Sequence, residues 1–243
     1  MTPLQPLLRK EFRQIIRSRR TVLAAAAIPL LMLTFVTGGD ILTLKLGFGH
    51  HPIYLLSSAR SISASTLLRH ETLPVLVTIS GMVTPSIIMG DALLGERERR
   101  TLELLVALPV TVADVVLAKV LAVVTFAAAV TIPLFAVNVL MVSAAGDASP
   151  TQDLALFILL LAAISYAVAS SLLVATLAGE PRAANIISGL VLGPVVPFEG
   201  LILVGIPGLI SVGICSAALA LAASVALLWS LRLLSFERLF GAA

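Results

Sequence analysis

Residues 95–109 read GERERRTLELLVALP, and this stretch holds Glu96, Arg97, Glu98, Arg99, Arg100 and Glu103 between two long apolar runs. The surrounding chain is written for lipid. Of 243 residues, 59% are hydrophobic and 12% charged, with a mean hydropathy of +1.09. Soluble domains average about 45–50% apolar and about 25% charged. Apolar runs of eighteen residues or more recur, and in lipid a helix satisfies its own backbone hydrogen bonds. The chain therefore reads as an all-α, multi-pass membrane protein, too short to carry a large soluble domain beside its spans. A charged, helix-prone segment kept out of the bilayer points to contact with something soluble.

Working outward, residues 3–20 form an amphipathic stretch. Leu4, Leu8, Phe12, Ile15 and Ile16 recur at helical spacing, with Arg9, Lys10, Arg13 and Arg17 on the other side. Such a helix lies along inner headgroups, the alternative being a cytoplasmic tail. The apolar run that follows exceeds a secretory signal core and has no Ala-x-Ala pattern after it, so it reads as a retained first span, about 21–38. The remaining spans are expected at about 73–90, 115–143, 153–178, 185–204 and 209–231, giving six. Between the first two lies a polar stretch, 39–72, in which 53–70 is a candidate short interfacial helix. Pro85 predicts a kink in the second span.

The boundaries of the island, 91–110, are marked by local chemistry. Pro109 cannot continue a helix running across Glu96–Leu108. Thr111 and Asp114 then have the spacing of a capping box that opens the third span, and Lys119 is placed to snorkel back to the surface. Ser149, Pro150 and Gln152 repeat the start signal for the fourth span. Pro194, Pro197, Gly200, Pro207 and Gly208 cluster near the fifth, which is expected to be broken or re-entrant.

With a cytoplasmic N-terminus and six spans, Arg9, Lys10, Arg13, Arg17, Arg19, Arg20, Arg97, Arg99, Arg100, Lys119, Arg182, Arg232 and Arg238 fall inside. Lys45, Arg60 and Arg69 fall outside, so thirteen of sixteen basic residues are internal. This split predicts a cytoplasmic island and cytoplasmic termini. The basic balance reports orientation and anionic lipid rather than nucleic acid.

Catalytic and metal-binding patterns are absent. The sequence has no G-x-x-x-x-G-K-[ST], H-E-x-x-H, C-x-x-C or G-x-S-x-G. A lone cysteine, Cys215, leaves no internal disulfide and reads as a small core hydrophobe. His50, His51 and His70 sit in the external stretch without ligand spacing. Glu199 is the one acid deep in an apolar setting. Fourteen residues past Asn185 at about 1.5 Å each, it lies roughly 21 Å into a core about 30 Å thick. It is a candidate pathway residue or the mouth of an outer re-entrant turn.

As a helix, the island aligns Leu102, Leu105 and Leu108 in a stripe with Leu104 beside it, and pairs Arg99 with Glu103 at i,i+4. That form suits insertion into a partner's groove, the alternative being a solvated loop. The run GERERRTLELLVALPVTVADVVLAK also resembles the signature of ABC-2-type transporter permeases. Glu96, Arg97, Glu98, Arg99, Thr101, Leu102, Glu103, Leu104, Leu105, Pro109 and Lys119 match it as they stand. LLRKEFRQIIRSRR is similar to that family's leading interfacial helix, and PVVPFEGLILVGIP resembles its fifth span with an outer turn. Arg100 departs from the pattern, standing where the family has glycine, and favours a continuing helix over a left-handed turn.

The resemblance implies one transmembrane domain over 1–243. It implies an exporter permease with no ATP site of its own and no bound metal or cofactor, paired in the cell membrane with a second permease, as a homodimer. Two separate ATPase subunits would supply ATP and Mg chemistry. The island would be the coupling helix seated in the ATPase, with Glu96, Glu98, Arg99, Thr101, Leu102, Glu103, Leu104, Leu105 and Pro109 as its contact set. The competing reading is a secondary transporter or channel working without an ATPase, which calls for paired intramembrane ionisable residues.

Overall fold

A computed structural model describes residues 4–36, 38, 53–54, 61–62, 72–98, 112–144, 149–177, 181–206 and 208–233. Its helices are α1 (Leu4–Arg17), α2 (Arg19–Leu31), α3 (Leu73–Glu98), α4 (Val112–Ala144), α5 (Pro150–Leu177), α6 (Pro181–Leu192), α7 (Val195–Gly205) and α8 (Leu209–Leu233). Apart from one short strand pair, the described elements are helical. Four stretches are long and apolar enough to cross a membrane: Asp114–Ala144, Pro150–Leu177, Ile187–Gly205 and Leu209–Leu233. Thr21–Thr34 and Leu73–Met89, at the expected first and second spans, are shorter apolar helices within the described residues.

Local sequence explains the helix starts. Helix α5 opens with Pro150 at its first position, and the Ser149 carbonyl accepts from the Gln152 and Asp153 N–H groups. Helix α4 opens at Val112 with Asp114 in its first turn, although Thr111, the expected cap, lies outside the described residues. Pro85 falls inside α3, which continues helically through it.

Of the 53–70 stretch, where a short interfacial helix is expected, the described residues are 53–54 and 61–62, and Ile53 and Tyr54 pair antiparallel with Ile62 and Ser61. The β-branched Ile53 and Ile62 and the aromatic Tyr54 favour this extended pairing. Within the expected first span, α2 passes into a π-helical turn at Met32–Val36. The apolar part of α3 is Leu73–Met89, and the helix itself runs beyond it. Helix α3 continues through Glu98, since Glu96, Arg97 and Glu98 are good helix formers and Gly95 alone does not stop it.

Packing centres on α5. Of its most apolar stretch, 72% is buried within the chain, against 33% for α4 and α8 and 11% for residues 187–205. Helices α8 and α3 are its main neighbours, and α2 and α4 pack on α3 in turn. Small residues permit this approach, as is common between membrane helices. At Gly81 of α3, a Cβ would sit 2.9 Å from the Ala163 Cβ and 3.2 Å from the Leu160 carbonyl oxygen of α5.

The outer surface is apolar as well. Leu23, Leu140, Leu190, Leu201, Leu221 and Trp229 are exposed on five different helices. That pattern suits hydrocarbon as the solvent. Helix α1 is the exception, with one apolar and one charged face.

The stretch from 181 to 205 is divided. The Gly193 N–H still bonds the Gly189 carbonyl, but Pro194 has no N–H, and α7 restarts with the Phe198 N–H donating to the Pro194 carbonyl. At Gly193 a Cβ would lie 2.6 Å from the Gly189 oxygen, so only glycine fits this joint.

Candidate functional site

The chain leaves α3 after Glu98 and returns at Val112. Glu96 and Glu98 are in the last turn of α3, by backbone. Arg99, Thr101, Leu102, Glu103, Leu104, Leu105 and Pro109 lie outside the described residues, as do His50, His51 and His70. What is described is the frame around the segment. Ile88 and Met89 near the end of α3 cluster with Ala122 and Val123 near the start of α4. The two helices are therefore antiparallel, and both attachment points of the island lie at one end of the bundle.

Helix α1 packs at that same end. Ile15 belongs to the same buried cluster, Leu8 and Phe12 pack against it, and the Phe12 ring meets Phe126 of α4 edge-on at 6.4 Å. Leu8, Glu11, Phe12 and Ile15 fall at i, i+3, i+4 and i+7, so the acid sits within the apolar stripe. Glu11 is 3% exposed and Lys119 of α4 is 2% exposed. The Lys119 Nζ lies 3.4 Å from the Glu11 Oε2, and Lys10 approaches the Oε1 at 3.6 Å from a largely exposed position. This corrects the expectation that Lys119 snorkels. Its side chain is sealed beneath α1, where an acid meets the cation and replaces water.

Sequence reasoning missed Glu11. The signal was present: it is the only acid of α1, it lies on the helix's apolar face, and Lys119 stands alone among apolar residues of the third span. Arg9, Lys10, Arg13, Arg17 and Arg19 remain exposed on the α1 side.

A second buried acid lies toward the other end. Glu199 of α7 is 4% exposed, and its Oε1 accepts a 2.8 Å hydrogen bond from the Thr78 hydroxyl of α3. Thr78 precedes Met89 by eleven residues, about 16 Å along the helix, so this contact lies in the half of α3 away from α1. The Glu199 Oε2 has no hydrogen-bond partner among the described residues. Around the contact, Leu73, Val77, Leu203, Val212 and Cys215 belong to one buried apolar cluster. Nearby, the Tyr166 hydroxyl of α5 donates to the Val191 carbonyl of α6 at 3.1 Å. The segment carrying Glu199 is thus tied inward at two places.

A groove of about 590 Å³ opens between α4, α5 and α8, lined by aliphatic and small residues such as Val124, Ile158, Ser165, Ser216 and Ala220. Among the described residues, no group of three or more His, Cys, Asp or Glu side chains is arranged to hold a metal.

No curated protein matches the chain. The ABC-2 type transporter family matches over residues 2–212, from just before α1 into α8. Permeases of this family generally pair with an ABC ATPase. A match of that length, on a chain of membrane-spanning helices, places this multi-pass membrane protein in the ABC-2 family, as a permease component of an ABC-type transporter.

Proposed function

We propose that the chain is one half of the membrane unit of an exporter, with six spans, both termini on the cytoplasmic side of the cell membrane, and two copies served by two ATPase subunits. The short helices Thr21–Thr34 and Leu73–Met89 act as the first and second spans, the latter extended by the remainder of α3. The segment around Glu96–Pro109 docks in the ATPase. Leu102, Leu104 and Leu105 anchor it, Glu98, Arg99 and Glu103 set its register at the rim, and Glu96, Thr101 and Pro109 bound it.

One observation carries this reading: the buried Glu11–Lys119 pair fastens α1 to α4 at the end of the bundle where the docking segment is attached. A push delivered between Glu98 and Val112 reaches α4 directly, and the ion pair makes α1 move with it. Removing one member of a buried pair strands a charge, so the pair resists separation strongly.

The test is Leu105→Asp in the reconstituted complex of permease and ATPase. A buried anchor of this kind contributes about 2 kcal/mol or more, so docking should weaken roughly thirtyfold, with loss of coupled ATP hydrolysis and normal membrane insertion. Unchanged copurification and coupled hydrolysis would overturn the assignment. Glu199 favours a second reading, an ion-driven carrier. Transport by the purified chain without ATPase or nucleotide would support it instead.

A further inference from the structure

Glu199 is a buried acid that ATPase docking does not use. Its two oxygens are treated unequally: Oε1 receives the Thr78 hydroxyl at 2.8 Å, while Oε2 is buried with no partner among the described residues. Burial of a carboxylate oxygen without a donor is unfavourable, most of all at membrane depth. Something must meet that oxygen.

The neighbours narrow the choice. Helix α7 packs against α3, α6 and α8. Residues 72–89 of α3 and 187–192 of α6 contain no ionisable side chain. On α8 the ionisable groups are Cys215, a thiol with no charge to offset a carboxylate, and Arg232. Arg232 lies seventeen residues further along, about 25 Å down the helix. A metal cation needs several oxygen ligands, and here one carboxyl and one hydroxyl are in place. A ligand ammonium would have to enter a site that is 4% exposed. A proton needs neither further ligands nor space.

We propose that Glu199 is a proton-binding site, with the proton held on Oε2 while Thr78 holds Oε1. Binding takes one proton from the aqueous phase and converts the carboxylate to a carboxylic acid, with no other bond changed. Thr78 is a positioning residue: it fixes which oxygen is left for the proton. Movement of α7 away from α3 breaks the Thr78 bond, opens the carboxyl to water and permits release. The site is a property of the permease chain and does not depend on the ATPase.

The experiment is infrared difference spectroscopy across a pH jump on the full chain alone in lipid nanodiscs, without ATPase. The wild type should show a carboxylic-acid carbonyl band that Glu199→Gln removes. Thr78→Val, which leaves the acid in place, should shift that band to higher frequency through loss of the hydrogen bond. If the glutamine variant fails to insert, the Thr78→Val shift decides alone. Absence of any band sensitive to both variants between acid and alkaline pH overturns the proposal. So does a carboxylate band at Glu199 that responds to sodium or potassium, which would mark a cation site. Because no ATPase is present, either result leaves the docking test with Leu105→Asp independent.

Discussion

The two ends of the bundle treat a buried acid in opposite ways. Near the ends of α3 and α4 that flank residues 99–111, Glu11 is met by a full cation, Lys119, and both side chains are sealed. In the other half, Glu199 is met by one neutral hydroxyl, and half of its carboxyl is left over. The first arrangement is costly to separate and so joins α1 and α4 into one mechanical unit. The second is weakly satisfied and joins α7 to α3 through a contact that can be made and broken. Under the proposed function, a push at one end that opens the other would use both kinds of joint. The difference lies in the partner, cation against hydroxyl, rather than in depth of burial, since the two acids are 3% and 4% exposed.

The largest effect is expected at the cation. Lys119→Ala removes the buried cation from Glu11, leaving the largely exposed Lys10 beside its other oxygen, and should cost about 3–5 kcal/mol in unfolding titrations of the detergent-solubilised protein. The exchanged pair, Glu11→Lys with Lys119→Glu, should recover most of that loss. A double variant no better than the single one would mean that shape, not charge, holds α1. At the other end, Thr78→Val leaves both Glu199 oxygens without a donor and should cost about 1–3 kcal/mol in the same assay. A loss equal to that of Lys119→Ala would erase the proposed contrast between a rigid and a labile joint. Smallest is Tyr166→Phe, which removes a neutral hydrogen bond from α5 to the Val191 carbonyl and should cost about 0.5–1.5 kcal/mol. It sets the baseline for an ordinary tie. If Thr78→Val matched it, Glu199 would carry no special penalty.

Much of the architecture was legible because it depends on short-range chemistry. Pro150 after Ser149 starts α5, and Asp114 after Thr111 marks the start of α4. Gly193 with Pro194 breaks the segment before Glu199, as the proline cluster predicts, because one lacks a Cβ and the other an N–H. The extension of α3 beyond its apolar part has a local reason too. Glu and Arg are good helix formers, so α3 continues past Met89 through Glu98.

The partners of the buried acids were not legible in the same way. Glu11 and Lys119 are 108 positions apart in the sequence, and Thr78 and Glu199 are 121 apart. Helical periodicity shows that Glu11 lies on an apolar face but not what faces it. For Lys119, the default for a lysine in an apolar run is to reach for water, and only the presence of α1 above it closes that route. Thr78 gave no signal at all, since a threonine within a span ordinarily bonds its own helix, as Thr131 does to the Ala127 carbonyl.

By itself, then, the amino-acid order determined that this chain lives in lipid, where its helices begin and break, and which family it resembles. Those properties follow from hydrophobic run length and from backbone chemistry within a few residues. Only the tertiary structure decided which charges are hidden and what they meet, because burial of a polar group depends on neighbours that the chain brings together from far apart.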